Sequence, residues 1–187
     1  NGARYLRPAL ESIFDQTMSD WELLFWDNQS TDESASIVSE YRDARIRYLH
    51  APAHTNLGEA RRQACVFARG EWVGILDTDD LWLPKKLEYQ LQAVEPRSDF
   101  GMVYSRCEEF GGDVARIQPS LNDLLPEGDV FSQLARRNFI SLPSLMYRRD
   151  AMISAGGFQP YQHAADYDLS LRVARESPVA AIDGVYS

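Results

Sequence analysis

The chain has 187 residues, 44% of them apolar and 25% charged, with a formal net charge of −9. That composition suits a globular domain with room for one sizeable core. The excess of acid and the lack of a basic cluster argue against nucleic acid or an anionic membrane as the main partner, and no apolar run approaches the roughly 20 residues that span a bilayer.

In "RYLRPALESIFDQ", Leu6, Leu10, Ile13 and Phe14 fall at helical spacing. "WELLFW" (21–26) is a short apolar run that stops at Asp27 and reads as a strand covered on both faces. Ser30 followed by Glu33 reads as a capping box for a helix over "SIVSEYRD", and "RIRYLH" as a second strand. From about 57 to 69, Ala60, Ala64, Phe67 and Ala68 recur with helical period, and Gly70 stands where a terminating C′ glycine would. "EWVGIL" is the next strand and "DTDDLW" its C-terminal loop, with Pro84 in the first turn of a helix reaching about residue 95. "GMVYSRCEEF" reads as a strand, and 111–127, polar and rich in Gly, Pro and Asp, as a loop. A helix over "DVFSQLARRN", a strand over "SLMYR", a short helix stopped by Gly156 and Gly157, and a helix over "ADYDLSLRVARE" complete the series. Cys65 and Cys107 lack metal-ligand spacing and are too few for a disulfide framework, so a reducing, cytoplasmic setting is expected. No signal peptide is visible.

Strands alternating with helices imply an α/β domain with a mostly parallel sheet. Ligands of such sheets bind beyond the carboxyl ends of the strands. Asp27 and the group Asp77, Asp79 and Asp80 all follow strands, so they should converge on one edge. Carboxylates that close repel one another. A hard divalent cation, Mg²⁺ or Mn²⁺, would resolve the repulsion, because such ions are held by one or two carboxylates together with substrate phosphates. The plainer reading is a solvated turn with one aspartate capping the following helix.

"GEWVGILDTDDLWLPKKLE" resembles the metal-binding segment of family 2 glycosyltransferases, "NGARYLRPALESIFDQTMSDWELLFWDNQSTDES" their N-terminal half, and "GGFQPYQHAADYDLSLRV" their acceptor-side segment, in the family's order. The resemblance implies a single GT-A (Rossmann-like) domain over 1–187, with the nucleotide-binding part at about 1–105 and the acceptor-binding part at about 106–187. It also implies a metal-dependent, inverting transfer of one sugar from a nucleotide-diphospho-sugar to a saccharide or lipid-linked acceptor, in polysaccharide biosynthesis. Peripheral membrane association is compatible with that role. The first family strand, which would precede "NGARYL", and the segment that would follow "AIDGVYS" are absent from the sequence, so a trimmed catalytic core is expected. The Gln-x-x-Arg-Trp motif of processive synthases is absent as well.

By that resemblance Asp27 contacts the nucleotide base, although an Asx turn would also explain it. Asn28 and Gln29 replace the usual aspartate and glycine after it. Arg61 lies near the diphosphate, or on a solvated face with Glu59 and Arg62. Asn56 and Gly58 match an Asn-x-Gly loop. Asp77 and Asp79 form the D-x-D, with Asp79 the more direct metal ligand and Asp77 reaching the ribose or metal. Trp82 reads as core or pocket wall. Asp166 matches the catalytic base, with Ala165 in place of the usual glutamate. Asp168 is the competing base, and helix-dipole stabilisation is the structural alternative for Asp166. His163 reads as a surface residue. A catalytically inactive nucleotide-sugar-binding relative and a Mg²⁺-dependent phosphoryl-transfer or receiver-type domain are the rival readings.

Overall fold

The structure, a computed structural model, describes residues 1–95, 97–110, 116–119 and 123–187. Helix α1 (Ala3–Phe14) buries Leu6, Ala9, Leu10 and Ile13 on one face, the stripe its spacing predicts. Strands β1 (Leu23–Asp27) and β2 (Ile46–His50) pair in parallel, from Leu23 against Ile46 to Asp27 against His50. Helix α2 (Ser34–Glu40) forms the crossover that a parallel pair requires. Then come α3 (Leu57–Cys65), β3 (Trp72–Gly74), α4 (Lys86–Val94), β4 (Met102–Glu109) and β5 (Arg116–Gln118). The chain ends with α5 (Phe131–Arg136), a 3₁₀ turn at Leu142–Ser144, β6 (Leu145–Arg148), α6 (Arg149–Ser154), α7 (Ala165–Glu176) and β7 (Val179–Val185).

The second sheet runs β3-β6-β4-β5, with β7 also on β4. The α/β class is as expected. Within it, β1–β2 and β4–β7 are parallel, whereas β3–β6, β6–β4 and β4–β5 are antiparallel. The strand period of two divides the core. Met102 and Tyr104 of β4, with Leu145 and Tyr147 of β6, face one cluster that α5, α6 and α7 cover. Val103 and Met146 face the opposite cluster, against Ile13, Trp82, Leu87 and Val94. β4 and β6 are therefore covered on both faces over Met102–Tyr104 and Leu145–Tyr147, where consecutive residues are apolar.

Between β1 and β3 the sheet is interrupted. A cavity of about 950 Å³ separates the two strands and is lined by Leu23 to Trp26 on one side and Trp72 to Leu76 on the other. The turn after β1, through Asn28 and Ser30, and the acidic turn after β3, through Asp77 and Asp79, therefore face one cleft rather than a continuous sheet edge, while Asp27 itself does not line it.

Four local readings are corrected. The capping box fails: α2 starts at Ser34 without a side-chain cap from its N-cap residue, Glu33. Ser30 is instead drawn into a turn with Asp27, and Asp32 accepts from the Ser34 N–H at 3.0 Å. Gly70 is not the C′ residue of α3, which ends at Cys65 with Val66 as its C-cap. β5 lies within the segment read as a loop; residues 111–115 and 120–122 of that segment lie outside the described residues. β7, which the sequence analysis did not identify, pairs along β4 from Met102 against Val179. Gly156 and Gly157 do stop α6, both at positive φ (86° and 64°).

Candidate active site

Asp27, the last residue of β1, is 2% exposed. Its Oδ1 accepts the Ser30 N–H at 2.7 Å and its Oδ2 accepts the Tyr48 hydroxyl at 2.5 Å. Burial pushes the carboxyl up, but the bonds from Tyr48 and Ser30 outweigh it and hold its pKa below the usual carboxylate range. Tyr48 moves the other way, pushed up to about 12 by burial and then by its bond to Asp27. The turn keeps a left-handed residue although glycine is absent: Gln29 sits at φ 66°. Asn28 closes the neighbouring loop by donating to the Thr55 carbonyl at 2.8 Å and accepting the Thr55 N–H at 3.2 Å. Asn28 and Ser30 line the cavity.

The D-x-D turn follows β3. A Cβ added at Gly74 would lie 2.7 Å from the Trp82 indole, so the glycine lets the ring pack flush beneath the loop. Trp82 is buried, as expected of core, and donates Nε1–H to the Pro143 carbonyl at 2.9 Å. Asp77 and Thr78 are partly buried and Asp79 is exposed. All three line the cavity that Asn28 and Ser30 also line. Asp80 is pushed up to about 6, by burial first and then by the charges of Asp77 and Asp79. The turn thus holds more negative charge than it can comfortably keep, a donor set that suits a divalent cation. Among the described residues no group of three or more His, Cys, Asp or Glu side chains is arranged to hold a metal by itself. A cation here would need oxygens from a ligand or from water.

Arg61 does not share a solvated face with Glu59 and Arg62. Those two pair with each other at 2.6 Å, whereas Arg61 turns inward and donates Nη2–H to both oxygens of Asp77, at 2.8 and 2.7 Å. It too lines the cavity. The Asn56–Gly58 turn docks α3 against the approach to α7. Asn56 caps α3 by accepting the Glu59 N–H at 2.9 Å and donates to the Pro160 carbonyl at 3.0 Å. The Gly58 N–H reaches the Tyr161 carbonyl at 3.1 Å, and a Cβ at Gly58 would lie 2.2 Å from the Gln159 carbonyl oxygen.

The two base candidates separate cleanly. The Asp168 carboxylate is held by Arg172 at 2.6 and 3.0 Å. The Asp166 carboxylate is partly exposed and has no hydrogen-bond partner among the described residues. Asp166 does not line the cavity; it and Arg61 both lie within electrostatic reach of the Tyr147 hydroxyl. The Tyr147 hydroxyl donates to the Asp166 carbonyl at 3.1 Å, and burial, Asp166 and Arg61 all act on its pKa, which is raised. The Arg61 guanidinium lies 6.0 Å from the centre of the Phe158 ring on the same segment. Ala165 is buried and His163 exposed. Sequence reasoning missed Tyr48, Arg172 and Tyr147. Only Arg172 carried a usable signal, since it lies four residues after Asp168 on one helix face.

A profile of glycosyl transferase family 2 matches residues 1–166. The chain is 25% identical over 185 residues to the Escherichia coli UDP-Glc:alpha-D-GlcNAc-diphosphoundecaprenol beta-1,3-glucosyltransferase WfgD, covering 98% of this chain and 70% of that protein. It is 34% identical over 176 residues to an uncharacterized glycosyltransferase of Methanocaldococcus jannaschii, covering 90% of this chain and 59% of the relative. S. aureus TarS 1-349, solved in complex with UDP-GlcNAc, superposes with a TM-score of 0.84 at 20% identity, over 99% of this chain and 54% of that one. The mannosyltransferase PcManGT from Pyrobaculum calidifontis, solved with GDP-Man and Mn²⁺, gives a TM-score of 0.75 at 19% identity, over 98% of this chain and 52% of that one. At such identities the structural likeness speaks for the fold, and it is the GT-A fold expected from the sequence. The chain spans between about half and 70% of the length of these proteins.

Proposed function

The chain belongs to glycosyl transferase family 2, and from that premise we propose that it moves a single sugar from a nucleotide-diphospho-sugar to an acceptor hydroxyl, with inversion and with Mn²⁺ or Mg²⁺ as cofactor. One observation supports this above the others: Asp77, Asp79 and Arg61 open on the same cavity as the turn after Asp27. Membership of this family leaves no ground for a receiver-type domain.

Asp79, with Asp77, would hold the cation, whose charge would offset that of the departing diphosphate. Arg61 supplies donors to phosphate oxygens. Asp27, held by Tyr48 and Ser30, fixes the turn that presents Asn28 and Ser30 as the base-side wall, and a direct base contact would exchange one of its present bonds. Asp166 accepts the proton of the acceptor hydroxyl as that oxygen attacks the anomeric carbon in line and the bond to the nucleoside diphosphate breaks. That Arg172 holds Asp168 while Asp166 has no hydrogen-bond partner among the described residues supports Asp166 over Asp168 as the base. The lipid-linked acceptor in the name of WfgD supports a saccharide or lipid-linked acceptor here. A cytoplasmic setting belongs to the same proposal.

Thermal melting with Mn²⁺ and UDP or GDP tests the donor site. A ligand at 100 times its Kd adds about 2.7 kcal/mol of stability, and Asp79→Asn should abolish the Mn²⁺-dependent part. No response to any nucleotide in the presence of Mn²⁺ would overturn the proposal. Binding without transfer across a donor and acceptor screen would favour the inactive-relative reading.

A further inference from the structure

Arg61 reaches Asp77 with a single nitrogen. Its side chain is 10% exposed and Nη2 serves both carboxylate oxygens, while Asp77, 39% exposed, faces the cavity. Apart from the Phe158 ring, whose centre lies 6.0 Å away, the rest of the guanidinium has no hydrogen-bond partner among the described residues. Nε is buried with no hydrogen-bond partner among the described residues, and Nη1 makes no hydrogen bond there either. A nine-tenths buried cation with spare donors, on the wall of a cavity, is incompletely satisfied by the residues around it. Its one carboxylate partner belongs to the acidic turn proposed above to hold a divalent ion.

A guanidinium and a dication cannot share Asp77 cheaply, since each would raise the free energy of the other. No cluster of three protein ligands among the described residues offers the cation an alternative. An anion that filled the empty donors of Arg61 would change the balance, drawing the guanidinium towards itself and releasing Asp77.

We propose that Arg61 is an internal counter-ion that makes cation binding conditional on a diphosphate: without one it occupies Asp77, and with one it turns its donors to phosphate oxygens and frees Asp77 for the metal. This rests on the donor-site reading above. It adds a coupling between the two ligands beyond their direct contact. Linkage makes that coupling reciprocal, so the diphosphate must also bind more tightly when Mn²⁺ is present.

The test reads binding rather than turnover. Free Mn²⁺ is followed by electron paramagnetic resonance, with and without UDP, and UDP binding by calorimetry with and without Mn²⁺. The wild type should bind Mn²⁺ weakly alone and more tightly with UDP, by a factor within the roughly 5–150-fold range usual for coupled sites. Arg61→Gln should bind Mn²⁺ alone at least about fivefold more tightly, at the low end of that range, while losing affinity for metal-free UDP. Arg61→Lys keeps the charge and most of the volume, and its Mn²⁺ affinity without nucleotide should stay near the wild type's. On an Asp77→Asn background, Arg61→Gln should give no further tightening. A cooperatively melting Arg61→Gln whose Mn²⁺ affinity is unchanged or weaker overturns the proposal, as does an Arg61→Lys that tightens like Gln. A wild type that binds both ligands while the variants fail these expectations removes the counter-ion role alone. A wild type that binds neither ligand removes the donor-site reading and this inference with it.

Discussion

Two strands of this protein end in acid, with opposite results. Asp27 leaves β1 sealed: it is 2% exposed, and both oxygens are satisfied by Ser30 and Tyr48. Asp77, Asp79 and Asp80 leave β3 open: Asp77 and Asp79 lie on the cavity wall, Asp77 with both oxygens on the one Nη2 of Arg61 and Asp79 with no side-chain hydrogen bond among the described residues, and Asp80 is pushed up to about 6 by burial and by its two neighbours. The sequence signal is the same at both places, an apolar run followed by aspartate. What differs is the partner that tertiary structure supplies. A carboxylate whose bonds are complete within the chain builds geometry, and one whose bonds are incomplete is available to a ligand.

Helix α7 repeats the contrast two residues apart, and the largest expected effect tests it there. Among the described residues the Asp166 carboxylate has no hydrogen-bond partner, whereas Asp168 is fixed by Arg172. Asp166→Asn should lower kcat by roughly 10²–10⁴-fold, the usual contribution of a general base, with donor affinity unchanged. Asp168→Asn should leave kcat within a few-fold. It should cost about 0.3–0.5 kcal/mol, as befits a partly exposed i,i+4 pair. Steady-state kinetics with calorimetry of donor binding reads both variants. If the two exchange places, satisfaction within the chain does not separate structural from chemical aspartates.

The sealed side is tested by stability. In Asp27→Asn a neutral amide with one acceptor oxygen replaces a carboxylate that serves two donors, so a hydrogen bond to a charged group is lost, at a cost of about 1.5–3 kcal/mol by chemical denaturation. The sign with pH follows from linkage. The folded pKa of Asp27 is depressed, so its stabilisation is complete above the unfolded value of about 3.9 and is lost as pH falls through the lower, folded value. The wild type should therefore lose its advantage over Asp27→Asn in acid below about pH 4. A gap that stays constant across that range would mean that the carboxylate's charge contributes nothing.

The same contrast marks what could be read from the sequence. The helices α1 and α7, the strands β1, β3, β4 and β6, and the acidic turns were legible, because spacing, alternation and turn residues are local patterns. Gly156 and Gly157 were legible for the same reason, since a left-handed helix stop needs a particular residue at a particular place. The partners were not. Tyr48 reaches Asp27 from 21 residues away and Arg61 reaches Asp77 from 16, and nothing in either segment announces the other. Ser30 shows how a local rule misleads. With Glu33 it has the form of a capping box, but the free Asp27 oxygen takes the Ser30 N–H first and the helix begins later. β7 escaped notice because what identifies it is its register on β4, 77 residues earlier between Met102 and Val179.

Beneath the open turn lies a buried amine with no carboxylate partner among the described residues, and the last expected effect concerns it. Lys86 is 0% exposed. Its Nζ donates to Gln90 Oε1 at 2.6 Å and lies 4.4 Å from the centre of the Trp82 ring that supports the acidic loop. Gln90 passes the bond on to the Ser144 carbonyl at 2.6 Å. Burial depresses the amine to about 7, against an ordinary 10.5, with Cys107 acting in the opposite direction. Between those two values the unfolded chain binds more protons than the folded one, so stability should rise with pH across the window and be flat below it. The slope cannot exceed about 1.4 kcal/mol per pH unit. It should approach that limit only well inside the window, giving a gain of about 1 kcal/mol from pH 7 to pH 8. Lys86→Met keeps the volume and removes the titration, so denaturation midpoints measured at the two pH values should converge on a single stability for the variant. Equal slopes in the two proteins would mean that Lys86 finds a counter-charge when folded, and the floor of the open site would then be as fully satisfied as the turn at Asp27.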